Sequence, residues 1–209
     1  MCCSKGMDYK HDKYFLCSKL APIFRVICPL HVKATGIDSI KISEHNIGHI
    51  NKLHPAIRKQ VTELLLSVQK LGIRADIKAS IRTIEEQDVE YRKGRDENGN
   101  DIEGKVRTTW VKGGYSYHNY GLAVDFEIFN TDGKKNWDFS GYGWQTLITN
   151  AERIGFTSGY RWAFPKNDPP HIENSLGLTT IQLKALYENG KVKNGYVIIP
   201  KVKSNNSIS

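Results

Sequence analysis

The sequence predicts an α+β fold. Four stretches read as helices, from apolar spacing, capping residues or a glycine stop. Two longer stretches alternate apolar and polar residues as half-buried strands do. The two kinds of element follow one another without the regular strand–helix–strand alternation of a parallel sheet. The 209 residues suit one domain plus tails, expected over 40–200.

The first strong pattern opens at Leu53-His54-Pro55, where Ile57, Val61, Leu64, Leu65 and Val68 recur at helical spacing before Gly72. Pro55 fits the first turn, so a helix is expected over 55–71. Ile73, Ala75, Ile77 and Ala79 alternate with polar residues and predict a strand over 73–81. Thr83 followed by Glu86 forms a capping-box pattern, giving a helix over 84–93. Residues 96–105 are polar and rich in Gly and Asn, the mark of a loop or small hairpin turn. From 121 to 129, Leu122, Val124, Phe126 and Ile128 share one strand face, and Ala123, Asp125 and Glu127 share the other. Helices are expected over 143–154 and 180–189, and a last strand over 196–199.

Residues 1–39 are expected to be a poorly ordered extension and 201–209 a disordered tail. Tyr14–Leu30 is apolar in part, but Lys19, Arg25, Pro22 and Pro29 interrupt it. It is too short and charged to span a bilayer, and it lacks the unbroken apolar run of a signal peptide. All four cysteines (Cys2, Cys3, Cys17 and Cys28) fall in this extension. The domain itself therefore has no disulfide, no cysteine zinc site and no cysteine nucleophile, and a metal there must be held by His, Asp or Glu.

Two segments bring histidine beside carboxylates. In the first, His118 stands seven residues before Asp125, with Gly121 between them. An odd spacing on one continuous strand would point the two to opposite faces, but a glycine bend or bulge turns both inward. An acid projecting there needs a partner, and a metal ion is one such partner. In the second, Asp168-Pro169-Pro170-His171, the prolines impose extended polyproline geometry of about three residues per turn, so that Asp168 and His171 project to the same side. Taken singly, each residue has an ordinary reading: a hydrogen-bonded histidine, a strand-end acid, a turn.

Together, Ser116-x-His118-x-x-Gly121-x-Ala123-x-Asp125 and Asp168-x-x-His171 resemble the zinc D-alanyl-D-alanine carboxypeptidase family. That family (VanY-like) includes L-alanyl-D-glutamate endopeptidases among phage endolysins and bacterial wall hydrolases. Leu53-His54-Pro55, Ser80-Ile81-Arg82-Thr83 and Glu86-Gln87 resemble its endopeptidase branch. The resemblance runs from about residue 46 to 173. It implies a hedgehog/DD-peptidase-like single domain, with a small antiparallel sheet and flanking helices. It implies one Zn2+ held by His118, Asp125 and His171. Asp168, where many members carry Glu, becomes the general base, and Arg82 the cation facing a substrate carboxylate or the developing oxyanion. Ser116 and Gln87 would line the site. Tyr115, Tyr117, Tyr120, Tyr160 and Trp162 flank it, as cleft wall or as plain packing. His45 and His49 lack the glutamate of a zinc-helix motif and are expected at the surface.

The implied activity is hydrolysis of the peptidoglycan stem peptide, at the L-Ala–D-Glu bond. D,D- or L,D-carboxypeptidase action and a non-catalytic zinc-stabilised binding module are the alternatives. The resemblance places the protein at the cell wall, and a lysin made in the cytoplasm and released without a signal peptide fits it. The formal net charge of +8 favours an anionic wall polymer as partner. Nucleic acid is not expected, because the lysines are dispersed and no nucleic-acid-binding signature occurs. Membrane insertion is not expected either, and the chain is read as a monomer.

Overall fold

A computed structural model describes residues 41–200. The expected extension, the expected tail and the four cysteines lie outside the described residues. Helices α1 (Glu44–Lys52) and α2 (Pro55–Lys70) lead into strand β1 (Arg74–Ala79) and helix α3 (Ile84–Arg92). Strand β2 (Ala123–Phe129) and helix α4 (Tyr142–Arg153) follow, then β3 (Thr157–Ser158), β4 (His171–Glu173), α5 (Thr180–Glu188) and a hairpin of β5 (Val192–Lys193) and β6 (Tyr196–Val197). The main sheet has the order β1-β2-β4-β3, with every neighbouring pair antiparallel. This is the expected α+β class, a small antiparallel sheet flanked by helices.

Alternation along β2 explains how one strand serves both core and site. Val124, Phe126 and Ile128 are buried against Ile57, Leu64 and Leu65 of α2 and Trp144, Leu147 and Ile148 of α4. Their odd-numbered neighbours face the other way. The core residues expected on α2 and α4 are all buried. Thr83 and Glu86 form the expected capping box, and a second one, Thr179 with Gln182, opens α5.

Helix α1 was not predicted. Gly48 and the shortness of the run hide it: nine residues hold a single buried apolar side chain, Ile50, and the helix docks largely through polar side chains. Asn46, fully buried, accepts from the Ile77 amide at 2.7 Å and donates to Asp76 at 3.0 Å. His45 Nε2 donates to the Ile77 carbonyl at 2.8 Å. The unpaired edge of β1 is thereby covered, which also removes an exposed template for strand addition. His45 is exposed as expected, whereas His49 is half-buried with its Nδ1 3.0 Å from Ser80 Oγ.

The chain reaches β2 through a single 3₁₀ turn, Tyr117–Tyr120, closed by Gly121 at φ 66°. The bend expected at Gly121 is thus a left-handed cap rather than a strand bulge. A Cβ here would stand 2.8 Å from the His54 nitrogen. Gly121→Ala is expected to cost at least the ~1–2 kcal/mol of a left-handed L-residue, plus that clash, and to lower the thermal midpoint accordingly.

Candidate metal centre

Strand register assembles the centre. Asp125 on β2 lies directly opposite His171 on β4. The 3₁₀ turn then brings His118 over the same sheet face. His118 Nε2 is 3.2 Å from Asp125 Oδ1 and 3.2 Å from His171 Nδ1, and the last two atoms are 3.1 Å apart. The donor atoms form a nearly equilateral triangle. Two ligands at ~2.0–2.1 Å from a tetrahedral zinc are about 3.3 Å apart, so the spacing fits one face of such a site. Two imidazoles and a carboxylate are also a zinc donor set, and they leave a fourth position free. Among the described residues, these three are the one group of this kind that could hold a metal ion.

Both histidines are buried and Asp125 nearly so. Each ring is fixed from behind: His118 Nδ1 donates to the Ser80 carbonyl at 2.5 Å, and His171 Nε2 lies 2.9 Å from Glu173 Oε2. Trp162 leans over His171 with ring centres 5.1 Å apart. Burial alone would raise the Asp125 carboxyl, but the charge on His118 and hydrogen bonds from both rings hold it well below the usual carboxylate range. Burial alone would lower His171, yet hydrogen bonds to Asp125 and Glu173 push it up to about 9.

These two shifts make the metal-free protein sensitive to pH. His171 is raised from 6.5, so its contribution is full below about 6.5 and is lost as pH climbs through about 9. Asp125 is depressed from 3.8, so its contribution is full above 3.8 and is lost as pH falls towards its lower value. The metal-free protein is therefore expected to melt highest between about pH 4 and 6.5, and at lower temperature by pH 9. Calorimetric melts across that range check the sign.

The triangle opens into a cleft of about 750 Å³ lined by Arg82, Ser116, Trp110, Trp162, Lys166 and Asp168, among others. Asp168 lies on the cleft wall, solvent-accessible but crowded. Loss of hydration and the nearby Asp125 charge raise its carboxyl above the ordinary 3.8. Its backbone is not polyproline. The His171 amide donates to the Asp168 carbonyl at 3.0 Å, closing a turn over Pro169-Pro170, and polyproline II makes no such bond. The fold-back follows from Gly159: the Asp168 amide donates to its carbonyl at 2.9 Å, and a Cβ on Gly159 would stand 2.3 Å from the Asp168 oxygen. Only glycine admits so close an approach.

The other expected site residues divide. Arg82 lines the cleft, its Nη1 donating to Gln87 Oε1 at 2.8 Å. It makes no ion pair among the described residues, so its charge faces the cleft uncompensated. Ser116 lines the cleft while its Oγ accepts from the His118 amide at 3.3 Å. Gln87 is fully buried behind Arg82 and does not line the cleft as expected. Its Nε2 donates to Thr109 Oγ1 and the Val111 carbonyl, so that it ties α3 to the 106–111 wall. Tyr115, Tyr117 and Trp162 line the cleft, whereas Tyr120 is buried and Tyr160 packs against the core. Trp110, Lys166 and Glu173 were missed. The first two sit in segments with no periodic pattern; Glu173 carries a signal, its i, i+2 spacing from His171 on one strand.

Comparisons with known proteins give the family. The family model for D-alanyl-D-alanine carboxypeptidase (VanY) matches residues 50–173, which include the whole triangle and Asp168. The chain belongs to this family. It is also 35% identical over 166 residues to the peptidoglycan L-alanyl-D-glutamate endopeptidase CwlK of Bacillus subtilis (strain 168), covering 73% of this chain and 95% of that protein. Among solved structures it resembles the Serratia marcescens L-Ala D-Glu endopeptidase ChiX, at 16% identity and TM-score 0.45, over 66% of this chain and 92% of that one. A zinc complex of a mutant vancomycin-resistance D,D-pentapeptidase, VanY, matches at 21% identity and TM-score 0.43, over 58% and 72%. These two likenesses are distant, and membership of the VanY family rests on the sequence matches.

Proposed function

We propose that the protein is a zinc peptidase that hydrolyses an amide bond of the peptidoglycan stem peptide, between L-Ala and D-Glu. The observation that carries the reading is the His118–Asp125–His171 triangle, closed by protein on one side and open on the other to a cleft holding Asp168 and Arg82. Residues 40–200 form the peptidase domain, and one ion is held by the three triangle residues. When bound, zinc supplies Lewis-acid polarisation of a carbonyl and a lowered pKa for water.

The chain's own residues account for the rest. Asp168, on the cleft wall, takes the proton of the attacking water and passes it to the departing amine. Arg82 is held by a neutral partner, Gln87, and makes no ion pair among the described residues. It can meet a substrate carboxylate or the negative charge growing on the carbonyl oxygen, for which a well-placed donor contributes about 3–4 kcal/mol. Ser116 orders the His118 turn and offers its hydroxyl to the cleft. Trp110, Trp162 and the tyrosines form walls for the peptide.

The likeness to CwlK favours the L-Ala–D-Glu bond, while the family description favours a terminal D-Ala. Mass spectrometry of digested peptidoglycan separates them. The L-Ala–D-Glu reading predicts new D-Glu amino termini with the terminal D-Ala retained; release of D-Ala alone would overturn it. The charge of +8 supports attraction to an anionic cell wall. Salt near 1 M, which shortens the screening length from ~10 to ~3 Å, is expected to weaken sedimentation with whole walls but to leave cleavage of a short soluble peptide nearly unchanged.

A further inference from the structure

Glu173 has no place in the function proposed above, yet it sits in a position that decides what His171 can do. The two residues share one face of β4, at i and i+2. Glu173 Oε2 is 2.9 Å from His171 Nε2, while His171 Nδ1 points the other way, 3.1 Å from Asp125 and 3.2 Å from His118. Glu173 makes no other ion pair among the described residues, and its side chain is only 18% exposed.

A neutral imidazole carries one N–H, and an ionised carboxylate can only accept. Asp125 faces Nδ1 as Glu173 faces Nε2, so the choice would fall once the centre holds a cation: the cation would take the Nδ1 lone pair, and the Glu173 carboxylate would keep the Nε2–H. His118 is set the opposite way: the Ser80 carbonyl takes its Nδ1–H and leaves Nε2 facing inward. One ring is thus backed by a neutral carbonyl and the other by a charge. That charge also matters for the balance of the site. Asp125 and Glu173 carry two negative charges between them, equal to the charge of one divalent ion held in a largely buried place.

We infer that Glu173 is the positioning residue of the metal centre. It fixes the tautomer and orientation of His171, strengthens His171 as a donor, and supplies the second negative charge that neutralises the ion. The inference rests on the zinc reading of the triangle. Glu173 Oε2 acts through the far side of the His171 ring.

The test compares the wild-type chain with Glu173→Gln and Glu173→Ala. Zinc affinity is measured by competition with a chelator, and the His171 ring N–H is followed by nitrogen-15 NMR of the zinc-loaded proteins. Loss of a residue supporting a ligand typically weakens metal binding about 10–100-fold, and that is expected for Glu173→Ala, together with loss of the protected His171 Nε2–H signal. Glu173→Gln keeps an acceptor but not the charge, so it is expected to retain the signal and bind zinc with intermediate affinity. Wild-type affinity in Glu173→Ala, or an unchanged N–H signal there, overturns the inference. Should Glu173→Ala fail to fold, wild-type affinity in Glu173→Gln overturns it equally. A wild-type chain that binds no zinc would instead remove the reading of the triangle itself, a result distinguishable before either variant is made.

Discussion

Asp168→Asn is expected to lower turnover on peptidoglycan about 10²–10⁴-fold, the range for losing a general base, and to leave zinc affinity unchanged. The substitution keeps the shape and the backbone turn. The turn depends on the Asp168 amide and carbonyl, bonded to Gly159 and His171, and not on its side chain. What disappears is the basic oxygen on the cleft wall. The same variant separates an enzyme from a zinc-stabilised binding module, because a module has no use for a base and would keep its full function. Steady-state turnover beside a zinc titration measures both quantities on one preparation.

His118→Ala is expected to abolish both. The ring is 4% exposed and contributes one of three donor atoms, so its loss removes more than the ~10–100-fold typical of a supporting residue. It also leaves Asp125 without its largest favourable charge partner in a nearly buried position. A destabilised metal-free protein is expected as well, because a buried charge that loses its partner is strongly penalised. A variant with wild-type turnover would remove His118 from the centre, and circular dichroism distinguishes loss of metal from loss of fold.

How much of this was legible in the sequence follows from the kind of signal each part carries. Helix α2 and strand β2 announce themselves because apolar periodicity reflects which face is buried. The capping box of α3 is likewise local, two side chains three residues apart. Helix α1 was not legible because it is short and interrupted by Gly48, with Ile50 its one buried apolar residue, and because Asn46 and His45 hold it to β1 by hydrogen bonds that leave no mark in the pattern. The turn over Pro169-Pro170 was misread as extended because its cause is distant in sequence: the contact between Asp168 and Gly159. Gln87 was placed on the cleft for a similar reason. The motif puts it near Arg82, but only the path of residues 109–111 shows that it is enclosed. The triangle itself could be anticipated as a set of residues, whereas its spacing depends on the β2–β4 register.

The central claim is that His118, Asp125 and His171 hold one zinc ion on which peptidoglycan cleavage depends. Titrating metal-free protein with zinc while following stem-peptide cleavage tests it most directly. Activity should be absent without metal, rise with added zinc and level off at one ion per chain. Full cleavage in the presence of excess chelator, or no cleavage with one zinc bound, would contradict it.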